Sequence, residues 1–114
     1  MPPSFPTSGN LLRDPGADPA RERFETLLDT PTVRIERIVS LGQSSPAGFW
    51  YDQPEGEWVV LLAGEAALEI EGEPQPRRLR PGDWVWLPPH CRHRVVWTAP
   101  DRPSIWLAVH LAIP

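Results

Sequence analysis

From Thr32 onward the chain is cut every few residues by Gly, Pro or a short acidic stretch, and between the cuts apolar side chains recur with a period of two. That pattern constrains the fold more than any other feature. A period of two places alternate side chains on opposite faces of an extended strand, and it cannot give an amphipathic helix a single apolar stripe. The runs fall at about 32–41, 47–52, 57–63, 66–71, 77–80, 83–87, 93–98 and 104–112, with breaks at Gly42, Pro54-Glu55-Gly56, Gly64, Gly72, Pro81-Gly82, Pro88-Pro89 and Pro100. About eight short strands predict an all-β jelly roll or small barrel. The run Trp58-Val59-Val60-Leu61-Leu62 is apolar on both faces, so its outer side needs cover, and a homodimer is the expected source.

The segment before these runs reads differently. Residues 1–17 carry Pro2, Pro3, Pro6, Gly9, Pro15 and Gly16 among small polar residues, which predicts an extended or mobile arm. Asp18 followed by Pro19 is a helix-start signal, and Phe24, Leu27 and Leu28 then recur at i, i+3 and i+4. A short helix over about 19–29, stopped by Pro31, is therefore expected to lie against the sheet. The expected organisation is an arm over 1–17 and one domain over 18–114, a size that suits a single core.

Composition narrows the chemistry. The formal net charge is -4, which argues against nucleic acid as a partner. All eleven basic residues are Arg, so lysine Schiff-base chemistry and a phosphate-cradling P-loop lysine are excluded. Cys91 is the single cysteine and cannot form an internal disulfide, and the first residues lack the basic and apolar regions of a secretion signal. A cytoplasmic location is expected. No apolar run approaches the ~18 residues of a membrane span, so no membrane partner is expected.

The stretch Glu57-Trp-Val-Val-Leu-Leu-Ala-Gly64 reads E-x6-G, and Gly82-Asp-Trp-Val-Trp-Leu-Pro88 followed by His93 reads G-x5-P-x4-H. In these residues the chain resembles the cupins, whose two motifs are G-x5-H-x-H-x3/4-E-x6-G and G-x5-P-x-G-x2-H-x3-N. The resemblance covers about residues 32–112 and implies a cupin-type jelly-roll β-barrel. In metal-binding cupins the two histidines and glutamate of the first motif meet the histidine of the second around one divalent ion inside the barrel. Glu57 matches that glutamate and His93 the second-motif histidine. The first-motif histidine positions fall on Trp50 and Asp52 with a four-residue spacer, or on Tyr51 and Gln53 with three. His90 stands in place of the second-motif glycine and Trp97 in place of the final asparagine.

The resemblance thus implies a divalent ion (Fe, Mn, Ni or Zn) held by Glu57 and His93, with Asp52 or Gln53 as an oxygen donor, and no organic cofactor. Strand parity lets only one of Asp52 and Gln53 face the lumen. Tyr51 and Trp97 are expected to wall the pocket. His110 joins them if the face that it shares with Trp106 and Ala108 is the inner one. His90 reads more readily as a loop residue, and Cys91 as a small packed thiol. Arg78, Arg80, Arg92 and Arg94 either alternate on the surface or, if one points inward, indicate an anionic ligand.

Two other readings remain open beside the metal-dependent one. The shortage of histidines fits a metal-free ligand-binding or sensor barrel, and Glu57 with His93 also fits acid/base catalysis of an isomerase kind. All three imply a small-molecule ligand. None of them chooses a substrate or a reaction, because fold alone does not.

Overall fold

The alternating runs become strands wherever a neighbour can complete their hydrogen bonds. In the computed structural model, which describes residues 2–113, there are eight: β1 Arg23–Asp29, β2 Val33–Ser40, β3 Gly56–Ala63, β4 Ala66–Ile70, β5 Arg77–Leu79, β6 Trp84–Leu87, β7 His93–Thr98 and β8 Ser104–Leu111. They form a five-stranded sheet in the order β1-β2-β8-β3-β6 and a three-stranded sheet in the order β5-β4-β7. All neighbours are antiparallel. The architecture is a two-sheet jelly roll with no helix among the described residues, and hence none long and apolar enough to cross a membrane.

The helix expected at 19–29 is instead a short turn followed by β1. Asp18 does accept the capping bond, from the Ala20 N–H at 2.8 Å, and its carbonyl accepts from Arg21, but the turn goes no further. From Arg23 the chain pairs with β2, and a bulge at Leu27 shifts the register between Thr26 and Leu28. Phe24 lies opposite Ile38 and Leu28 opposite Ile35, residues of opposite parity in β2. The i, i+3, i+4 spacing is thus a strand that changes parity at a bulge. Pairing with β2 outweighs the local helical preference.

Residues 47–52 are also not a strand. Gly48 takes φ +80°, Phe49 closes a turn onto Pro46, and only Tyr51 bridges to His93, through Tyr51 N–H to the His93 carbonyl at 2.8 Å. The described residues of the N-terminal arm have no regular structure and are held by two guanidiniums, of which Arg23 donates to the Gly16 carbonyl at 3.5 Å. The Arg37 guanidinium donates to the carbonyls of Leu11 at 3.2 Å and Arg13 at 2.9 Å.

Between the sheets lie Val59 and Leu61 of β3, Leu68 of β4, Val85 and Leu87 of β6, and Trp106 and Ala108 of β8, all buried. Burying each large apolar side chain stabilises the fold by about 1.5–3 kcal/mol relative to exposure. The one buried indole N–H in this group, of Trp106, donates to Ser40 Oγ at 3.2 Å, and Ser40 in turn donates to the Glu22 carboxylate. Gly64, which ends the E-x6-G run, turns β3 into β4 at φ +83°, and a Cβ there would lie 2.5 Å from the Pro103 carbonyl oxygen. Only glycine satisfies both conditions without displacing backbone.

Candidate functional site

The site is assembled by the strand parity of β3. Glu57, Val59 and Leu61 are buried, and Glu57 lies opposite His110 of β8 on one side and Leu87 of β6 on the other. A central position with ladders on both sides draws the carboxyl group indoors. β7 brings His93 to the same place, and Ile70 of β4 and the bridge to Tyr51 hold its backbone. Tyr51, Glu57, His93 and His110 line one cavity of about 430 Å³, whose apolar part includes Val59, Leu68, Leu87, Val95 and Trp106.

His93 is only 6% exposed, and its two ring nitrogens do different things. Nδ1 lies 2.8 Å from the Cys91 carbonyl oxygen. A carbonyl only accepts, so Nδ1 carries the hydrogen, and in the neutral ring Nε2 keeps its lone pair. Nε2 sits 3.7 Å from Glu57 Oε1, beyond hydrogen-bond range. Gln53 Nε2 donates to the same oxygen at 3.5 Å, and no bond from a described residue reaches Glu57 Oε2. Tyr51 stacks on the His93 ring at 5.3 Å between centroids, with Phe49 edge-on to Tyr51 at 4.9 Å. Burial, and then the negative charges of Glu22, Glu57 and Glu36, push the Tyr51 phenol above the usual tyrosine range, so it keeps its proton as a donor.

A second imidazole faces the same cavity. His110 shares the inner face with Trp106 and Ala108, is 4% exposed, and holds Glu36 Oε1 through Nε2 at 3.0 Å. Its Nδ1 is buried without a partner among the described residues.

Among the residues singled out in the sequence, Glu57, His93, Gln53, Tyr51 and His110 come together. Asp52 borders the cavity, but its Oδ1 turns to His90 Nδ1 at 2.8 Å, and both side chains are exposed. Trp97 is not part of the cavity wall. Val96 is an extra residue in the β7 ladder, between Trp97 opposite Ala67 and Val95 opposite Leu68, and this bulge turns Trp97 to the outer face. There the Arg78 guanidinium lies 5.0 Å from its ring centroid. Arg92 and Arg94 likewise sit over Trp50 and pair with Glu71 and Glu69. Burial raises the Cys91 thiol, which disfavours a nucleophilic thiolate there.

Sequence reasoning missed Glu22, Arg34, Glu36 and Glu55, all of which line the cavity. Arg34 and Glu36 alternate with Ile38 on one face of β2, but a search for apolar periodicity passes over charged side chains at inward positions.

The metal implied by the cupin resemblance can be tested against these donors. Catalytic metal sites use about three protein ligands. Here Glu57 and His93 face each other with only the Gln53 amide nearby. Asp52 is engaged by His90 and His110 by Glu36, and no group of three or more His, Cys, Asp or Glu that could hold an ion occurs among the described residues. As arranged, the residues do not fit a resident divalent ion.

The Cupin domain family model matches residues 38–110, from β2 through β8. The chain belongs to the cupin family. This cupin is 50% identical, at a TM-score of 0.92, to a protein of Ralstonia eutropha JMP134 provisionally assigned as a mannose-6-phosphate isomerase, over 95% of this chain and 100% of that one. It is also 41% identical over 70 residues to the dimethylsulfoniopropionate lyase DddQ of Ruegeria pomeroyi, a match covering 56% of this chain and 32% of the lyase. The chain thus matches about a third of that lyase's length. Against the lyase's crystal structure the TM-score is 0.60 at 30% identity, covering 80% of this cupin and 47% of the lyase. An RmlC-like cupin of Desulfovibrio desulfuricans, 20% identical with a TM-score of 0.77, shares the fold.

Proposed function

We propose that this cupin moves a proton on a small molecule held in its lumen, with His93 as base and Glu57 as the group that stabilises the resulting charge. One observation carries the reading. Cys91 holds the His93 ring so that the free Nε2 faces a buried carboxyl group 3.7 Å away inside a cavity. When Nε2 takes a proton from a carbon beside a carbonyl, the C–H electron pair moves into an enolate and the ring becomes an imidazolium. Its new N–H faces Glu57, and the Tyr51 phenol is a donor for the enolate oxygen. Returning the proton to the same or a neighbouring carbon completes an exchange or an isomerisation. The names of the two relatives, an isomerase and a lyase, fit chemistry that begins with such a step.

The test is deuterium incorporation from D₂O into mannose 6-phosphate and into dimethylsulfoniopropionate, followed by NMR with and without a chelator. Chelator-insensitive incorporation is expected, reduced about a hundredfold or more in His93→Asn. Loss of exchange on chelation, with metal found in the protein by elemental analysis, would replace this reading with the metal-dependent one. Exchange into neither compound would favour the binding or sensor barrel.

The proposal extends to assembly. On the outer face of β3 and β6, Trp84 is 61% and Trp86 40% exposed, and Trp58 stacks on Trp84 at 6.1 Å. Exposed indoles side by side support a homodimer across this face. Light scattering should give the mass of two chains for the wild type and of one for Trp84→Asp. Equal masses for the two proteins would count against this interface.

A further inference from the structure

The cavity is lopsided in charge and in hydrogen-bonding capacity. Glu22, Glu36, Asp52, Glu55 and Glu57 all line it, against one guanidinium, Arg34, which is paired with Glu55 at 3.4 Å. Four of the five carboxyl groups already hold a partner within the protein: Glu22 has Ser40, Glu36 has His110, Asp52 has His90 and Glu55 has Arg34. Glu57 differs. It is 9% exposed, receives only the long Gln53 bond on Oε1, and has an Oε2 that no described residue satisfies. That oxygen is open to the cavity, so a ligand that brings an N–H donor or a positive charge can take the place of water there. Across the cavity, His110 Nδ1 also lacks a partner among the described residues, but that atom lies below the cavity surface, so Glu57 is the group a ligand can reach.

A phosphate or carboxylate ligand would meet five carboxyl groups and a single guanidinium, Arg34, already in contact with Glu55 at 3.4 Å, so the charge balance of the lining favours a cation. A ligand that brings N–H donors and positive charge meets what the cavity lacks. The Tyr51 and Trp106 rings and the aliphatic wall accommodate the alkyl part of such a molecule. We infer that the lumen binds a small primary ammonium compound, with its charged head seated on Glu57. The inference rests on reading the lumen as the small-molecule site, and it names the ligand class for that site.

The experiment is isothermal titration calorimetry with n-butylammonium chloride, tetramethylammonium chloride and inorganic phosphate as probes, on wild type and on Glu57→Gln, which keeps the shape of the side chain. For the wild type, n-butylammonium should bind saturably, and tetramethylammonium, which has no N–H, and phosphate should each bind more weakly. Glu57→Gln should weaken n-butylammonium binding about tenfold, the effect of losing one charge-assisted contact. The order of the three probes on wild type stands whether or not the variant folds. Phosphate binding as tightly as n-butylammonium, absence of saturable heat with n-butylammonium, or tetramethylammonium binding equally well would each overturn the inference. Deuterium exchange into mannose 6-phosphate without ammonium binding would overturn the ligand class and leave the proton-transfer reading intact. Ammonium binding without exchange into any substrate would support the ligand class and count against proton transfer.

Discussion

Two imidazole–carboxyl pairs face the same lumen, and they are built differently. His110 and Glu36 are joined at 3.0 Å, whereas His93 and Glu57 stand 3.7 Å apart, the ring held instead by the Cys91 carbonyl. The first pair is closed, His110 Nε2 meeting Glu36 Oε1 across β8 and β2, although His110 Nδ1 has no partner among the described residues. The second is open, since His93 is oriented by the backbone and its outward nitrogen remains free to act on something else. Stability resides in the closed pair and reactivity in the open one.

The largest expected effect that would break this contrast is on chemistry. In the exchange assay, His93→Asn should lose about a hundredfold or more while unfolding close to the wild-type temperature, and His110→Asn should lose far less. Equal loss in the two variants would show that the pairs work as one unit. The converse experiment concerns stability. Glu36→Leu leaves the 4% exposed His110 ring without its partner and should cost about 1–3 kcal/mol by chemical denaturation. Glu57→Leu, which removes a carboxyl group with poor partners, should cost less or even stabilise the fold. A larger penalty at Glu57 than at Glu36 would reverse the assignment of roles.

How much of this was readable beforehand depended on whether parity held along each strand. Glu57 and His93 were legible from their spacing to Gly64 and Pro88, which survives the register shift in β3 and the turn at His90. His110 was legible once Trp106, Ala108 and His110 were seen to share a face. The failures lie at bulges and turns. Leu27 made β1 look helical, and Val96 turned Trp97 from the lumen to the surface. Gln53 was favoured over Asp52 by a partner distant in sequence, His90, whose ring captures the Asp52 carboxyl group. Glu22 and Glu36 gave no local signal, because their place in the wall follows from β2 lying beside β8 and from the path of the arm, and residue type reveals neither.

The smallest expected effect sharpens the account of the open pair. Tyr51 lies against His93, and its phenol is raised by burial and by three glutamates that line the same cavity, two of them the carboxyl partners of the pairs. A folded value above the unfolded one means that the folded state holds this proton more tightly. The contribution to stability is therefore fully present below about pH 10, the ordinary tyrosine value, and is lost as pH rises through the folded value. The chain has one tyrosine and no lysine, so phenolate absorbance reports this group alone. Wild type should lose stability on the alkaline side of pH 10 more steeply than Tyr51→Phe, and the difference should shrink in Glu57→Gln/Tyr51→Phe relative to Glu57→Gln. Parallel alkaline limbs for wild type and Tyr51→Phe would mean that the phenol does not sense the carboxyl groups, and the donor role given to it would then have no electrostatic basis.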